Sequence, residues 1–208
     1  MVREILVIKR DKLFKDSYFS GFTSVEDNNY LNLILENFEY KERNDELETN
    51  ADYKQVVSYI WIVNPETKKV FVYKRAPDQR YTEARLRNKF SCGIGGHIDR
   101  DTEGDATDPI HSGMIRELQE EVAMESYSEP KVIGFVTLDN KNVEHYHLGI
   151  VSLLETTQSV EKKDEEVAET MFLSIEEVDN LFADAKNDIE IYTQLSWSAV
   201  KSYLQSKN

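Results

Sequence analysis

The stretch RELQEEV, residues 116–122, gathers three carboxylates, Glu117, Glu120 and Glu121, directly behind Arg116. On an α-helix these acids stand at i, i+3 and i+4, so their side chains leave one face within reach of one another. Like charges at that spacing repel, and the helix gains nothing from them by itself. A hard divalent cation such as Mg²⁺ takes oxygen ligands and keeps waters that a phosphate can replace, which is the chemistry such an edge suits. In a chain with 39 acidic residues a stripe of this kind is ordinarily a solvated face, and Arg116 could simply pair with Glu120 one turn on. Spacing alone leaves both readings open.

The elements around the acids must position them for either reading to matter. Asp108-Pro109 has the chemistry of a helix start, an N-cap acid followed by proline at the first helical position, and predicts a helix from about Pro109 to about Met124. Along it Ile110, Met114, Ile115, Leu118 and Val122 form an apolar stripe that would seat the helix on a sheet, leaving the acids at the margin of the contact. Upstream, FSCGIGGHI reads as a strand that runs into the adjacent glycines Gly95 and Gly96, with His97 directly after them. The loop between, DRDTEGDATDPI, has acids where an EF-hand loop has them, but position twelve is Ile110 instead of a bidentate glutamate and a strand precedes it, which argues against an EF-hand and leaves only incidental Ca²⁺ binding.

The remainder of the chain mixes strands with few helices and predicts an α+β class. REILVIK near the N-terminus reads as a strand, and the polar and aromatic stretch after it carries a helix start at Ser24 with Leu31, Ile34 and Leu35 on its apolar side. QVVSYIWIV and VFVYKR form a hairpin around NPETKK, and KVIGFVTLD, HYHLGIVSLLE and ETMFL read as further strands. Ser174 caps a helix over SIEEVDNLF, and a last amphipathic helix from about Ile189 to Leu204 places Tyr192, Leu195, Ala199 and Tyr203 at helical spacing, with Val200 widening the stripe. The expected organisation is residues 1–54 as a strand and a helical or loop extension packed on a main domain of residues 55–208. His145 and His147, with Glu144 beside them, resemble a zinc cluster only faintly.

Bulk charge narrows the partners. A net charge of −14 with pI near 4.8 argues against a protein that grips a duplex by its phosphates, and a polyanionic substrate would need a local exception such as a bound divalent cation. The lone cysteine, Cys92, excludes an intrachain disulfide, and the opening MVREILVIKR is too short an apolar run for a membrane span or signal peptide, so a reducing cytoplasm and no membrane are expected.

Taken together, GIGGHI and RELQEEV resemble the box of the Nudix (MutT-like) hydrolase family: G, five residues, E, seven residues, then R-E-U-x-E-E-x-G-U with U aliphatic. Two departures stand out. Ala123 occupies the last glycine of the box, and Gly96 to Arg116 spans 20 positions where the family has 14, so the loop is six residues longer. Counting back eight positions from Arg116 gives Asp108 where the family has its first glutamate. The resemblance implies an α/β/α sandwich around a mixed sheet and hydrolysis of a diphosphate linkage with Mg²⁺ or Mn²⁺. It implies Glu120 and Glu121 as principal metal ligands, with a backbone carbonyl of Gly95 or Gly96 near the metal. Glu117 is implied as general base or further ligand, and Arg116 as the residue that orients the carboxylates. Arg75, Arg85 and Arg87, with His97, are the candidates for substrate contact; Arg80 and Lys89 belong to the same basic run, and Glu165, Glu166 and Glu169 are candidates for a further ligand or base. The expected partner is a small phosphorylated, nucleotide-like molecule, and a homodimer is compatible with the extensions. Two other readings share the fold: a non-catalytic nucleotide-binding or regulatory module, whose signature would be an eroded acidic motif, and an isomerase of the isopentenyl diphosphate type, which would need Cys92 as a catalytic thiol.

Overall fold

A computed structural model of the chain describes residues 2–78, 86–139, 145–163 and 167–207. The first third contains β1 (Glu4–Lys9), α1 (Arg10–Leu13), β2 (Gly21–Ser24), α2 (Tyr30–Asn37) and β3 (Phe38–Glu42), then a single 3₁₀ turn, Leu47–Thr49. The middle contains β4 (Tyr53–Asn64), β5 (Lys69–Arg75), β6 (Phe90–Ser91), β7 (Gly93–Ile94), α3 (Arg100–Glu103) and α4 (Pro109–Glu121). After it come β8 (Val122–Ala123), β9 (Lys131–Thr137), β10 (His147–Glu155), β11 (Glu161–Lys162), β12 (Val167–Ser174), α5 (Ile175–Ala183) and α6 (Ile191–Ser206). The class is α+β, as expected. Among the described residues no helix is long and apolar enough to cross a membrane.

The chain divides into two compact units, and β4, α4 and β10 each contribute residues to both. The first unit comprises residues 1–59, 95–116 and 132–152. In it β1 pairs antiparallel with β3 and with the start of β4, where Lys9 faces Tyr53, while β2 pairs antiparallel with β9 from Gly21↔Thr137 to Ser24↔Gly134. Ile5, Leu6, Val7 and Ile8 are all fully buried, so β1 is covered on both faces despite its position near a terminus. Phe14, Phe19, Tyr30 and Phe135 form a second apolar cluster, with rings 5.4 to 6.4 Å apart in edge and stacked pairs.

The second unit comprises residues 60–94, 117–131 and 153–208. Here β5 pairs antiparallel with β12, with the end of β4 across the NPETKK turn, and with β6. Thr67 N–H donates to Asn64 Oδ1 at 3.0 Å, and Lys68 takes the left-handed conformation that closes the turn. Ser174 and Glu177 complete a capping box on α5. Trp61 holds α6 to the sheet, donating its Nε1–H to Ser196 Oγ at 2.9 Å and stacking on Trp197 at 5.8 Å.

Three sequence expectations are corrected here. Ser24 does not start a helix: it ends β2, its Oγ takes the Asp27 N–H in a turn, and α2 begins at Tyr30 under an Asn29 cap. Both residues have N-cap chemistry, and the pairing of β2 with β9 decides between them. FSCGIGGHI is two short strands and not one, because Cys92 interrupts the pairing and gives its N–H to Thr193 Oγ1 at 3.0 Å. The last helix occupies Ile191–Ser206, two residues further on than expected.

Candidate active site

The site's acids sit on α4, whose start is as the sequence predicts. Asp108 Oδ1 accepts the His111 N–H at 2.9 Å, the N-cap bond, with Pro109 behind it. Ile110, Met114, Leu118 and Val122 are buried at four-residue steps and fix which edge of the helix faces outward. Gly113 is close against Ile98, where an added Cβ would lie 2.6 Å from Ile98 Cδ1. The helix ends three residues before the expected Met124. Lys163 closes it, giving its backbone N–H to the Glu121 carbonyl at 2.9 Å and its Nζ to the Gln119 carbonyl at 2.7 Å, a cation at the negative end of the helix. The chain then enters β8, where Ala123 pairs with Glu161. Among the described non-glycine residues only Lys68 and Asn88 have positive φ, so Ala123 stands where the family has glycine without backbone strain.

In the first unit Arg116 has a partner the sequence did not suggest. Its Nε donates to Glu103 Oε1 at 2.7 Å and its Nη2 to the His97 carbonyl at 2.8 Å, with Asp99 at 3.9 Å. Glu103 is 2% exposed and also accepts the Asp99 N–H at 2.7 Å, so this carboxylate is buried and satisfied by a guanidinium and a backbone donor. Asp99 in turn takes a bidentate pair from Arg3, at 2.8 Å on each oxygen. Counting back from Arg116 pointed to Asp108; that residue is the helix cap, and the acid against Arg116 is Glu103. Five of the six extra residues of the loop therefore lie between Glu103 and Arg116, and one before the acid. Glu103 was hidden in sequence because Asp99, Asp101 and Asp105 surround it in an acidic loop.

The two glycines belong to the same unit. Ser58 N–H donates to the Gly96 carbonyl at 2.8 Å, and Gly96 N–H donates back to Ser58 Oγ at 3.2 Å. Gly95 has φ of +148°, and a Cβ there would stand 2.3 Å from the Ser58 carbonyl oxygen. Gly95→Ala is expected to cost about 2 kcal/mol through strain and overlap, lowering Tm by roughly 4–8 °C. A thermal melt unchanged within a degree would remove the close approach as the reason for glycine. His97 turns its ring inward: its Nε2 lies 2.9 Å from Gln55 Oε1 and 3.2 Å from His147 Nε2, and burial together with His147 holds its pKa well below the usual histidine value.

In the second unit lie Glu117, Glu120 and Glu121, with Arg75 and Arg87. Glu117 is 9% exposed, Glu121 half-buried and Glu120 exposed. Tyr73, whose hydroxyl donates to the Gly93 carbonyl at 2.8 Å, has its pKa raised by burial, and the nearby Glu121 and Glu190 carboxylates add to that. Arg75 Nη2 donates to Glu190 Oε2 at 3.2 Å, and its guanidinium lies over the Tyr73 ring at 5.2 Å. Arg87 is half-buried, and Glu169 is exposed on β12. Arg80, Arg85, Glu144, Glu165 and Glu166 lie outside the described residues.

The donor set of α4, three carboxylates, has the hard-oxygen chemistry of a Mg²⁺ or Mn²⁺ site. Among the described residues, however, no group of three or more His, Cys, Asp or Glu side chains is drawn together closely enough to hold a metal. The donor chemistry fits such a cation, while the three carboxylates are not drawn together into a ligand set.

No protein-family model matches the chain. Protein YmaB of Bacillus subtilis (strain 168) is 30% identical over 200 residues, covering 91% of this chain and 93% of that protein. Tm1382, assigned to the Nudix hydrolases, has a crystal structure that aligns with a TM-score of 0.78 at 25% identity, covering 96% of this chain and 99% of its own. A bifunctional NMN adenylyltransferase/ADP ribose pyrophosphatase of Francisella tularensis, solved with AMP and a manganese ion, aligns with a TM-score of 0.51 at 12% identity over 73% of this chain and 42% of that one, a likeness of fold alone.

Proposed function

Since the chain belongs to the Nudix hydrolase family, a group of pyrophosphatase-type hydrolases, we propose that it cleaves a diphosphate linkage in a small nucleotide-like substrate, using Mg²⁺ or Mn²⁺. The observation that carries this reading is the edge of α4, where Glu117, Glu120 and Glu121 sit at the margin of a buried apolar stripe on a helix capped at both ends. Glu120 and Glu121 would hold the cation, with Glu117 beside them. Such a cation, when bound, neutralises phosphate oxygens and lowers the pKa of a coordinated water. Glu117, the least exposed of the three, would take the proton from the attacking water, the role the family resemblance implies for it. Arg116 acts as a positioning residue: its charge is spent on Glu103 and the His97 carbonyl, which fixes the helix. Arg75 and Arg87, with Arg85 outside the described residues, would be the cations offered to substrate phosphate. The roles of the Gly95 and Gly96 carbonyls rest on the family resemblance.

The isomerase reading loses its thiol. Cys92 is fully buried, its neighbour Thr193 occupies its backbone N–H, and burial with the Glu190 charge pushes the thiol well above its ordinary pKa. A lone reduced thiol of this kind suits the reducing cytoplasm in which we place the enzyme.

The test is a panel of nucleoside triphosphates, dinucleoside polyphosphates, nucleotide sugars, ADP-ribose and isopentenyl diphosphate, assayed for phosphate or nucleotide release with Mg²⁺, with Mn²⁺ and with chelator. Turnover of one diphosphate class that stops with chelator is the expected result. Absence of turnover across the panel would transfer weight to a non-catalytic nucleotide-binding module, and isomerisation of isopentenyl diphosphate would overturn the hydrolase reading.

A further inference from the structure

Within the first unit two donor atoms from separate segments converge on His97 Nε2: Gln55 Oε1 at 2.9 Å and His147 Nε2 at 3.2 Å. The two imidazole centroids are 5.2 Å apart, 2.0 Å more than the nitrogens, so each ring turns its Nε2 edge toward the other. Gln55 lies on β4, His97 follows β7 and His147 opens β10. Backbone contacts hold these segments side by side: Gln55 N–H donates to the Tyr146 carbonyl at 2.7 Å, Val57 bridges to His97, and the His147 carbonyl accepts from Thr137 Oγ1 at 2.8 Å. The far end of the Gln55 amide fixes its orientation, since Nε2 faces the Leu47 carbonyl and Glu48 Oε2, each at 3.5 Å, and Oε1 is left for the histidines. Gln55 and His147 are buried, and His97 keeps some exposed surface, which leaves an approach from solvent on its side.

Hydrogen bonding alone serves this cluster poorly. A neutral imidazole has one N–H, so a single hydrogen on His97 Nε2 is divided between an amide oxygen and a second ring nitrogen. With that hydrogen on Nδ1 instead, the lone pairs of His97 Nε2 and Gln55 Oε1 face each other at 2.9 Å, which is costly for buried groups. An ion that accepts lone pairs removes the conflict. Zinc binds imidazole nitrogen at about 2.0–2.1 Å in tetrahedral geometry, which sets neighbouring ligand atoms about 3.3–3.4 Å apart. The contacts of 3.2 and 2.9 Å are near that edge. Mg²⁺ prefers oxygen and leaves imidazole to ions such as zinc, so the donors here differ in kind from the acids of α4. Glu48 adds a negative charge directly behind the Gln55 amide, in the place that partners of metal ligands occupy. The third donor is an amide, so the set is no cluster of three His, Cys, Asp or Glu side chains. We propose that His97, His147 and Gln55 form a Zn²⁺ site, with the two Nε2 atoms and Oε1 as ligands and water completing the tetrahedron. The ion would tie β4, the segment after β7 and β10 together, and the proposal stands whether or not the acids of α4 prove catalytic.

Binding is measured by calorimetry and by NMR of the histidine rings on the full chain, freed of metal with chelator, using Zn²⁺ and Mg²⁺ as probes. Zn²⁺ is expected to bind at least about a hundredfold tighter than Mg²⁺. Of the four histidines, the rings of His97 and His147 are expected to shift with Zn²⁺ while those of His111 and His145 stay in place, and excess Mg²⁺ leaves the shifts unchanged. His147→Leu is expected to weaken Zn²⁺ at least about tenfold, and Glu120→Gln/Glu121→Gln to leave its affinity within about threefold of wild type. Zn²⁺ affinity no better than that of Mg²⁺, ring shifts at His111 or His145 instead, or zinc binding lost with the two glutamates would each overturn the proposal. The ring shifts are read on the wild-type chain, so the outcome does not depend on any variant folding.

Discussion

The double substitution Glu120→Gln/Glu121→Gln is expected to reduce diphosphate hydrolysis about a thousandfold, with the fold intact. Gln keeps the size and helix propensity of Glu and removes the charge, so two anionic oxygen ligands become two neutral ones. A thousandfold loss is about 4 kcal/mol of transition-state stabilisation, within what a cation clamping phosphate oxygens supplies. Glu120 is exposed and Glu121 half-buried, so relieving three like charges on one helix edge should leave Tm unchanged or slightly raised. The assay is kcat at saturating Mn²⁺ on the substrate found in the panel, beside a thermal melt. If the double variant turns over at more than a tenth of the wild-type rate, the acids of α4 are not the metal site. Loss of activity together with unfolding would count equally against the assignment, since the edge would then be structural.

Arg116→Met is expected to destabilise the protein by about 3–5 kcal/mol, lowering Tm by roughly 10 °C. The reason lies in Glu103. With Arg116 removed, a carboxylate that is 2% exposed keeps, among the described residues, only the Asp99 N–H as a partner, and a buried charge without its counter-ion costs more than the pair was worth. Adding Glu103→Leu removes the stranded charge, so the double variant should recover at least half of the loss. The double-mutant cycle in urea measures this coupling directly. Loss below about 1 kcal/mol for Arg116→Met, or additive losses in the double, would show that Glu103 finds water or another donor, contrary to its burial.

Much of the fold and part of the candidate site were legible because the signals are local. Asp108 and Pro109 start α4 through bonds made within three residues, Ser174 and Glu177 cap α5 in the same way, and the NPETKK turn is closed by Asn64 and Lys68 inside its own hairpin. The stripe Ile110, Met114, Leu118 and Val122 is buried as helical periodicity requires, and this alone fixes Glu117, Glu120 and Glu121 on a common edge. Where two local signals competed, as at Ser24 and Asn29, the sequence had no means of choosing. Pairing of Gly21–Ser24 with Gly134–Thr137, more than a hundred residues away, made the choice.

The sequence by itself thus determined the class, the helix that bears the acids, the kinship with Nudix hydrolases and the oversized loop before that helix. Only the tertiary structure decided which acid receives Arg116 and what His97 and Arg10 face. Arg116 meets Glu103 across 13 residues, His97 meets His147 across 50, and Arg10 meets Asp139 across 129. Contacts within a turn or two are written in residue type and spacing because the backbone geometry brings them together unaided. Contacts across long loops depend on which surfaces the whole chain buries, and in a sequence with 39 acids no single carboxylate carries a mark that it will be the buried one.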